Sequence, residues 1–304
     1  MTRTEQINEI LTLLADAKEE ITRRLAPHAE AVPNIKMPDK AEDPQPDEAT
    51  LTLYGTTMMA YIGEVEVVRE AMDPTLTAIA GKISALGGKG WDKDDDIVQA
   101  WMALAHVVQT LRHNPAKGPG ALYVNPDNQM ISYAAANFWL KEMQPSEKLQ
   151  RKHLTYTKGR AAFNICAEPA AIAKAVGHAE LATHFTLRSK ASIKKRAHAG
   201  RDELRNKDFI SPHKMAQRRI RFLDRVSRKA ANSKLFHESI LITTADPCYS
   251  CTQAVIDVGV AVVISDKLHR HEMKPKRLTE MEQAHRTLHA HGVKHRHIVY
   301  RHNI

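Results

Sequence analysis

At 304 residues, with 43% hydrophobic, 26% charged and 5% aromatic residues, the chain is long enough for about two domains with buried cores, and no apolar run approaches the ~18 residues of a membrane span. A start of MTRTEQINEI, without the basic-then-apolar pattern of a secretory signal, and only three cysteines argue against a secreted disulfide framework and for a reduced, cytoplasmic setting. The net charge of +9 hides an asymmetry: residues 1–150 sum to −8 and residues 151–304 to +17, which predicts an anionic partner for the C-terminal half, whether nucleic acid, nucleotide phosphate or the acidic half itself.

In chain order, Ile7, Ile10, Leu11, Leu14, Ile21 and Leu25 recur at helical spacing and predict an amphipathic helix from Thr4 to about Ala26. Five prolines (Pro27, Pro33, Pro38, Pro44, Pro46) among acidic residues then predict an extended linker over 27–50. Residues 51–72 and 74–87 read as two further helices, closed by Gly87, Gly88 and Gly90, so residues 1–92 form a helical accessory region.

A different rhythm begins at about residue 93. Asp94, Asp95 and Asp96 suit a helix N-terminus, and Ile97, Trp101, Leu104, Val108 and Leu111 mark one face of the helix that follows. GALYVNPDNQMISYAAAN predicts a hairpin turning at NPDNQ. Helical sequence starts near residue 165, and a basic, largely helical stretch continues to about Lys234. SILITT (239–244), VAVVIS (260–265) and HIVY (297–300) read as strands, separated by helices at 248–258 and 278–291. That alternation predicts an α/β fold with parallel pairing at this end.

All three cysteines fall into two short motifs, Cys166-Ala167-Glu168 and Pro247-Cys248-Tyr249-Ser250-Cys251, each at a predicted helix start. Two thiolates spaced C-x-x-C at a helix N-terminus suit one metal ion, and a third from another helix start completes a tripod. With zinc, three protein ligands leave the fourth position to water, whose pKa falls towards neutrality, and Glu168 stands ready to carry protons. Two other readings of these residues are a redox pair that leaves Cys166 irrelevant, and a closed structural zinc site with His178 or His237 as fourth ligand.

CAEPAAI (166–172) is similar to the metal-site helix of cytidine deaminases, and ITTADPCYSCTQAVIDVGVAVVIS (242–265) resembles the strand, metal turn, helix and strand of deoxycytidylate deaminases. With its His-or-Cys, x, Glu signature followed by Pro-Cys-x-x-Cys, the chain resembles the zinc-dependent cytidine deaminase-like superfamily from about residue 94 to the end. The resemblance implies a cytidine deaminase-like three-layer α/β/α sandwich with a mixed sheet over residues 93–304. It further implies Zn2+ on Cys166, Cys248 and Cys251, Glu168 as catalytic proton carrier, Asn137 against the nucleoside, and association into a homo-oligomer. The reaction it implies is hydrolytic deamination of a nucleobase, most directly cytosine in a cytidine or deoxycytidine nucleotide. The helix before HIVY looks like the deoxycytidylate and tRNA deaminase branch, whereas a Cys ligand looks like the cytidine deaminase branch.

Two features depart from the family pattern. His178-Ala179-Glu180 also satisfies the first half of the signature; Cys166 with Glu168 is preferred because Ala171 and Ile172 supply the small and apolar positions where the alternative has Thr183 and His184. The spacing of 80 positions from Glu168 to Cys248 exceeds the usual gap and holds an insert, 186–235, with 16 basic and four acidic residues. Lys194, Lys195, Arg196, Arg218, Arg219 and Arg221 would contact phosphate there, with Phe222 placed to stack. The insert thus opens two alternatives: deamination of single-stranded DNA or RNA, and a non-catalytic nucleic-acid-binding protein with a structural zinc. It also suits docking on the acidic N-terminal half. The histidines near the C-terminus (His285, His289, His291, His295, His297, His302) offer metal affinity by composition and are assigned no catalytic role.

Overall fold

The structure, a computed structural model, describes residues 1–33, 48–112, 118–135, 138–139, 164–176, 224–266 and 275–302. Helix α1 (Arg3–Glu30) opens on a reciprocal cap: Thr2 Oγ1 accepts the Glu5 N–H, and the Glu5 carboxylate accepts the Thr2 N–H. Its predicted stripe, Ile7, Ile10, Leu14, Ile21 and Leu25, is buried. Expected to end at Ala26, the helix runs one turn further through Pro27, because a proline this close to the C-terminus forfeits a single bond, and the Ala31 N–H still reaches the Pro27 carbonyl at 3.2 Å.

The two helices expected over 51–87 are one, α2 (Glu48–Leu86), with Pro74 inside it. Val65, Val68, Met72, Leu76, Ile79 and Ile83 keep a single buried stripe in phase across Pro74. Packing of that stripe outweighs the one bond the proline removes. Helix α3 (Asp95–Gln109) starts as predicted, with the Asp94 carboxylate accepting the Asp96 and Ile97 N–H groups.

Strands β1 (Gly120–Val124) and β2 (Met130–Ala135) form the predicted antiparallel hairpin. Helix α3 lies so close to β1 that a Cβ at Gly120 would sit 2.2 Å from the Ala105 carbonyl oxygen, an approach only glycine allows. Short strands β3 (Phe138–Trp139) and β4 (Asn164–Ile165) pair with each other and lead into α4 (Ala167–Ala175). A helix over 224–233, α5, is followed by β5 (Ile240–Thr243), α6 (Tyr249–Asp257), β6 (Val262–Asp266), α7 (Pro275–Ala290) and β7 (Lys294–Ile298).

The sheet order is β2-β1-β5-β6-β7, antiparallel across its first two pairs and parallel across its last two. The chain is therefore α/β with a mixed five-stranded open sheet, and the parallel pairing at the C-terminal end is the one that alternating strands and helices predict. The last strand, expected at 297–300, begins three residues earlier with KHRHI; as an edge strand it needs no continuous apolar run, so its pattern is polar.

Strand alternation divides the core in two. Leu122, Ile240, Ile242 and Ile264 point to α1, α2 and α3, whereas Tyr123, Leu241 and Val263 point to α4, α5, α6 and α7. Of the insert predicted at 186–235, residues 224–235 are described: Val226 and Ala230 of α5 are buried in the second core, and Arg225, Arg228 and Lys229 are exposed. No helix among the described residues is long and apolar enough to cross a membrane.

Candidate metal centre

Two helices of the same layer meet at their N-termini. Cys166 is the N-cap of α4 and Cys248 the N-cap of α6, both with extended backbone (φ/ψ −64°/159° and −72°/164°), and Cys251 lies in the first turn of α6. Each cysteine reaches that place for a local reason. Buried strand β5 ends at Thr243, where the Thr244 N–H bonds the Gly120 carbonyl and holds the 244–248 turn against β1. Helix α4 is pinned to the sheet by Ser132, whose hydroxyl donates to the Ala171 carbonyl at 2.8 Å. At its other end, Lys229 of α5 donates to the Val176 carbonyl at 2.6 Å, a cation placed on the negative pole of the helix.

The three sulfurs converge: Cys166 to Cys248 is 4.0 Å, Cys248 to Cys251 is 3.2 Å, and all three lie within 4.8 Å of one another. Tetrahedral Zn2+ with Zn–S bonds of about 2.3 Å spaces its sulfurs about 3.8 Å apart, so the tripod fits that ion. Among the described residues no histidine joins the three sulfurs in this cluster.

Glu168, one position into the first turn of α4 beyond Ala167, is only 2% exposed. Its charge acts on both Cys166 and Cys251. Hydrogen bonding with Cys248, burial, and repulsion from Cys248 and Glu168 push the Cys166 thiol up to about 12. The bonds to Cys166 and Cys248, followed by burial and Glu168, raise Cys251 as well. Three sulfurs and a carboxyl crowded out of water make every anion in the set expensive, which is the donor chemistry that a divalent cation relieves.

Tyr123 was not singled out from the sequence, yet it belongs here. Its ring is fully buried, edge-on to Phe236 at 4.8 Å; burial, then the charges of Glu168 and Cys251, raise its hydroxyl. Inward alternation on β1 is the signal that would have found it.

A second cluster was also missed. Asp246, two residues before Cys248, accepts hydrogen bonds at Oδ1 from Ser265 and, at 2.8 Å, from His297 Nε2; His295 Nε2 lies 3.4 Å away. Burial opposes ionisation of Asp246, but the bonds from His295, His297 and Ser265 offset it and hold the carboxyl well below the usual range. His295 and His297 face the same way because residues i and i+2 of a strand share a face. Reading 297–300 as the strand hid that relation.

Asn137, His178 and Glu180 lie outside the described residues, as do Lys194, Lys195, Arg196, Arg218, Arg219 and Arg221. His237 lies in the exposed turn after α5 and is not among the sulfurs' neighbours in the cluster. No protein-family model matches the chain, and no curated protein matches it.

Proposed function

We propose that the chain is a zinc-dependent nucleobase deaminase of the cytidine deaminase-like kind, acting on cytosine in a cytidine or deoxycytidine nucleotide. The observation that carries this reading is the meeting of Cys166, Cys248 and Cys251 at two helix N-termini with a buried Glu168 beside them. The sheet order, with two antiparallel pairs followed by two parallel ones, supports the same fold.

Zn2+ held by the three thiolates would supply Lewis acidity and bring the pKa of water near neutrality. Cys166 and Cys248 orient the site through the positions they cap. The Glu168 carboxylate accepts the water's proton and delivers it to the ring nitrogen, then takes the proton of the new C4 hydroxyl and passes it to the departing amino group. A C4–O bond forms, the C4–N bond breaks, and ammonia leaves. Tyr123, buried edge-on to Phe236, lies within electrostatic reach of Glu168 and Cys251.

A polynucleotide substrate is the second reading, favoured by the net +12 of residues 186–235 and by the exposed Arg225, Arg228 and Lys229 on a helix whose other face is buried beside the metal-bearing helices. An ammonia-release screen over nucleosides, nucleotides and single-stranded oligonucleotides, with Glu168→Gln as blank, tests both. Release from no cytosine substrate, or equal release by Glu168→Gln, refutes the deaminase reading. Release from oligonucleotides alone, falling steeply with salt, selects the second.

A further inference from the structure

Beyond the cysteine tripod, the β6–β7 side of the same sheet gathers a different donor set. Asp246 leaves β5, His295 and His297 stand on one face of β7, and His285 comes from α7, which packs over that face. One ligand atom each from Asp246, His295 and His297 lies within 4.8 Å of the others. The rings are close: His295 to His297 is 4.3 Å between centroids, His285 to His295 4.8 Å and His285 to His297 5.9 Å.

Burial of one carboxylate does not require this arrangement. A single oxygen, Oδ1, meets Ser265, His295 and His297 together. The His295 side chain is 3% exposed, its Nε2 is engaged with Ser265 at 2.9 Å, and its buried Nδ1 has no hydrogen-bond partner among the described residues. Nδ1 lies across the ring from that cluster, so the atoms turned toward Asp246 Oδ1 are the Nε2 atoms of His295 and His297, and donors converging in this way form a set that a cation would bridge. The spacing suits one as well. Around a tetrahedral ion with bonds of about 2.0–2.2 Å to nitrogen and oxygen, neighbouring ligand atoms sit about 3.4 Å apart; the Asp246 distance to His295, 3.4 Å, equals that figure, and the one to His297, 2.8 Å, is shorter.

We propose that Asp246, His295 and His297, with His285 beside them, form a second metal site, for a divalent transition cation of the zinc type. Imidazole and carboxylate suit such an ion without any sulfur, whereas the tripod holds it by thiolate alone. The two sites flank Pro247, so an ion at the second also anchors the turn that delivers Cys248 to the first. This assignment is independent of the deaminase reading.

The test is metal content and spectroscopy on the full chain, free of any histidine tag. The untagged protein is expected to hold about two zinc ions, and His295→Asn with His297→Asn about one. The double variant, loaded with Co2+, keeps the near-ultraviolet thiolate-to-cobalt absorption, whereas Cys248→Ser with Cys251→Ser loses that absorption and retains the other ion. Exposed His289 and His291 serve as controls: His289→Asn with His291→Asn leaves the content at about two. One zinc in the unaltered chain, or loss of the second ion in the control variant, overturns the proposal. Should the double variant not fold, Co2+ titration of the unaltered chain decides: a second equivalent bringing weak visible bands without thiolate absorption supports the site, and no second equivalent overturns it. Failure of the tripod instead would appear as absent thiolate absorption with the histidine site filled.

Discussion

The two faces of the sheet use buried polar groups in opposite ways. On the face covered by α1, α2 and α3, polar side chains join the scaffold. Asn128 accepts the Trp101 indole N–H at 2.7 Å and donates to the carbonyls of Ile83 and Ser84, and Gln99 ties α3 to Val299 and Arg301 beyond β7. On the face covered by α4, α6 and α7, three thiols, Glu168, Asp246 and two histidines converge at strand and helix ends. Partnered polar groups stabilise a unique packing, whereas crowded acids and thiols cost stability until a cation joins them. One sheet thus has partnered polar groups on one side and groups able to hold a metal ion on the other.

The widest separation should come from Glu168→Gln. The side chain is isosteric, and removal of a general acid–base lowers rate by about 10²–10⁴-fold, so kcat should fall by that factor with zinc content and the urea midpoint unchanged. Ammonia release measured beside metal analysis checks it; loss of zinc together with rate would make Glu168 a structural part of the site and break the comparison.

Trp101→Ala probes the other face. The ring is fully buried, packs on Trp91 at 6.1 Å and holds Asn128, so its removal should cost about 3–5 kcal/mol in urea unfolding while the folded chain retains its zinc. Asn128→Ala should cost less, about 1–3 kcal/mol, through the unpaired Trp101 N–H and the carbonyls of Ile83 and Ser84. A Cβ at Gly87 would fall 2.1 Å from Asn128 Nδ2, so Gly87→Ala should disturb the same contact from the other side.

The tripod was legible in the sequence because each half is local: an apolar strand, Pro247, two cysteines one helical turn apart, and the remaining cysteine at another helix start. Helices α1 and α2 were legible in kind but not in extent, since Pro27 and Pro74 signal breaks that the buried stripe overrides. The histidine cluster was not legible. Its members come from a loop, a helix and an edge strand, and KHRHI has the composition of a solvated tail because one border of β7 pairs with no strand among the described residues. The residues flanking the tripod from β1, Tyr123 above all, needed the register to be known.

The smallest effect is expected where the two faces are joined around the β2 edge. Asp73 of α2 accepts hydrogen bonds from the Tyr133 hydroxyl and, at 3.0 Å, from Lys174 of α4, whose ammonium also lies 3.7 Å from the Tyr133 ring centre. Partial burial pushes the Asp73 carboxyl up, but the bonds from Tyr133 and Lys174 outweigh it and leave the carboxyl below its ordinary value. A depressed folded pKa stabilises above the unfolded value of about 3.9 and ceases to do so as pH falls through the folded one. Because the Asp73 and Lys174 side chains remain partly exposed to water, Asp73→Asn should cost less than about 1 kcal/mol at neutral pH. Urea midpoints of the two proteins should differ by a constant amount from about pH 5 to 8 and converge below about pH 4. A difference that persists in acid would show that α2 is held to α4 by packing around the Tyr133 ring and not by the carboxylate, and the join between the two faces would then be apolar.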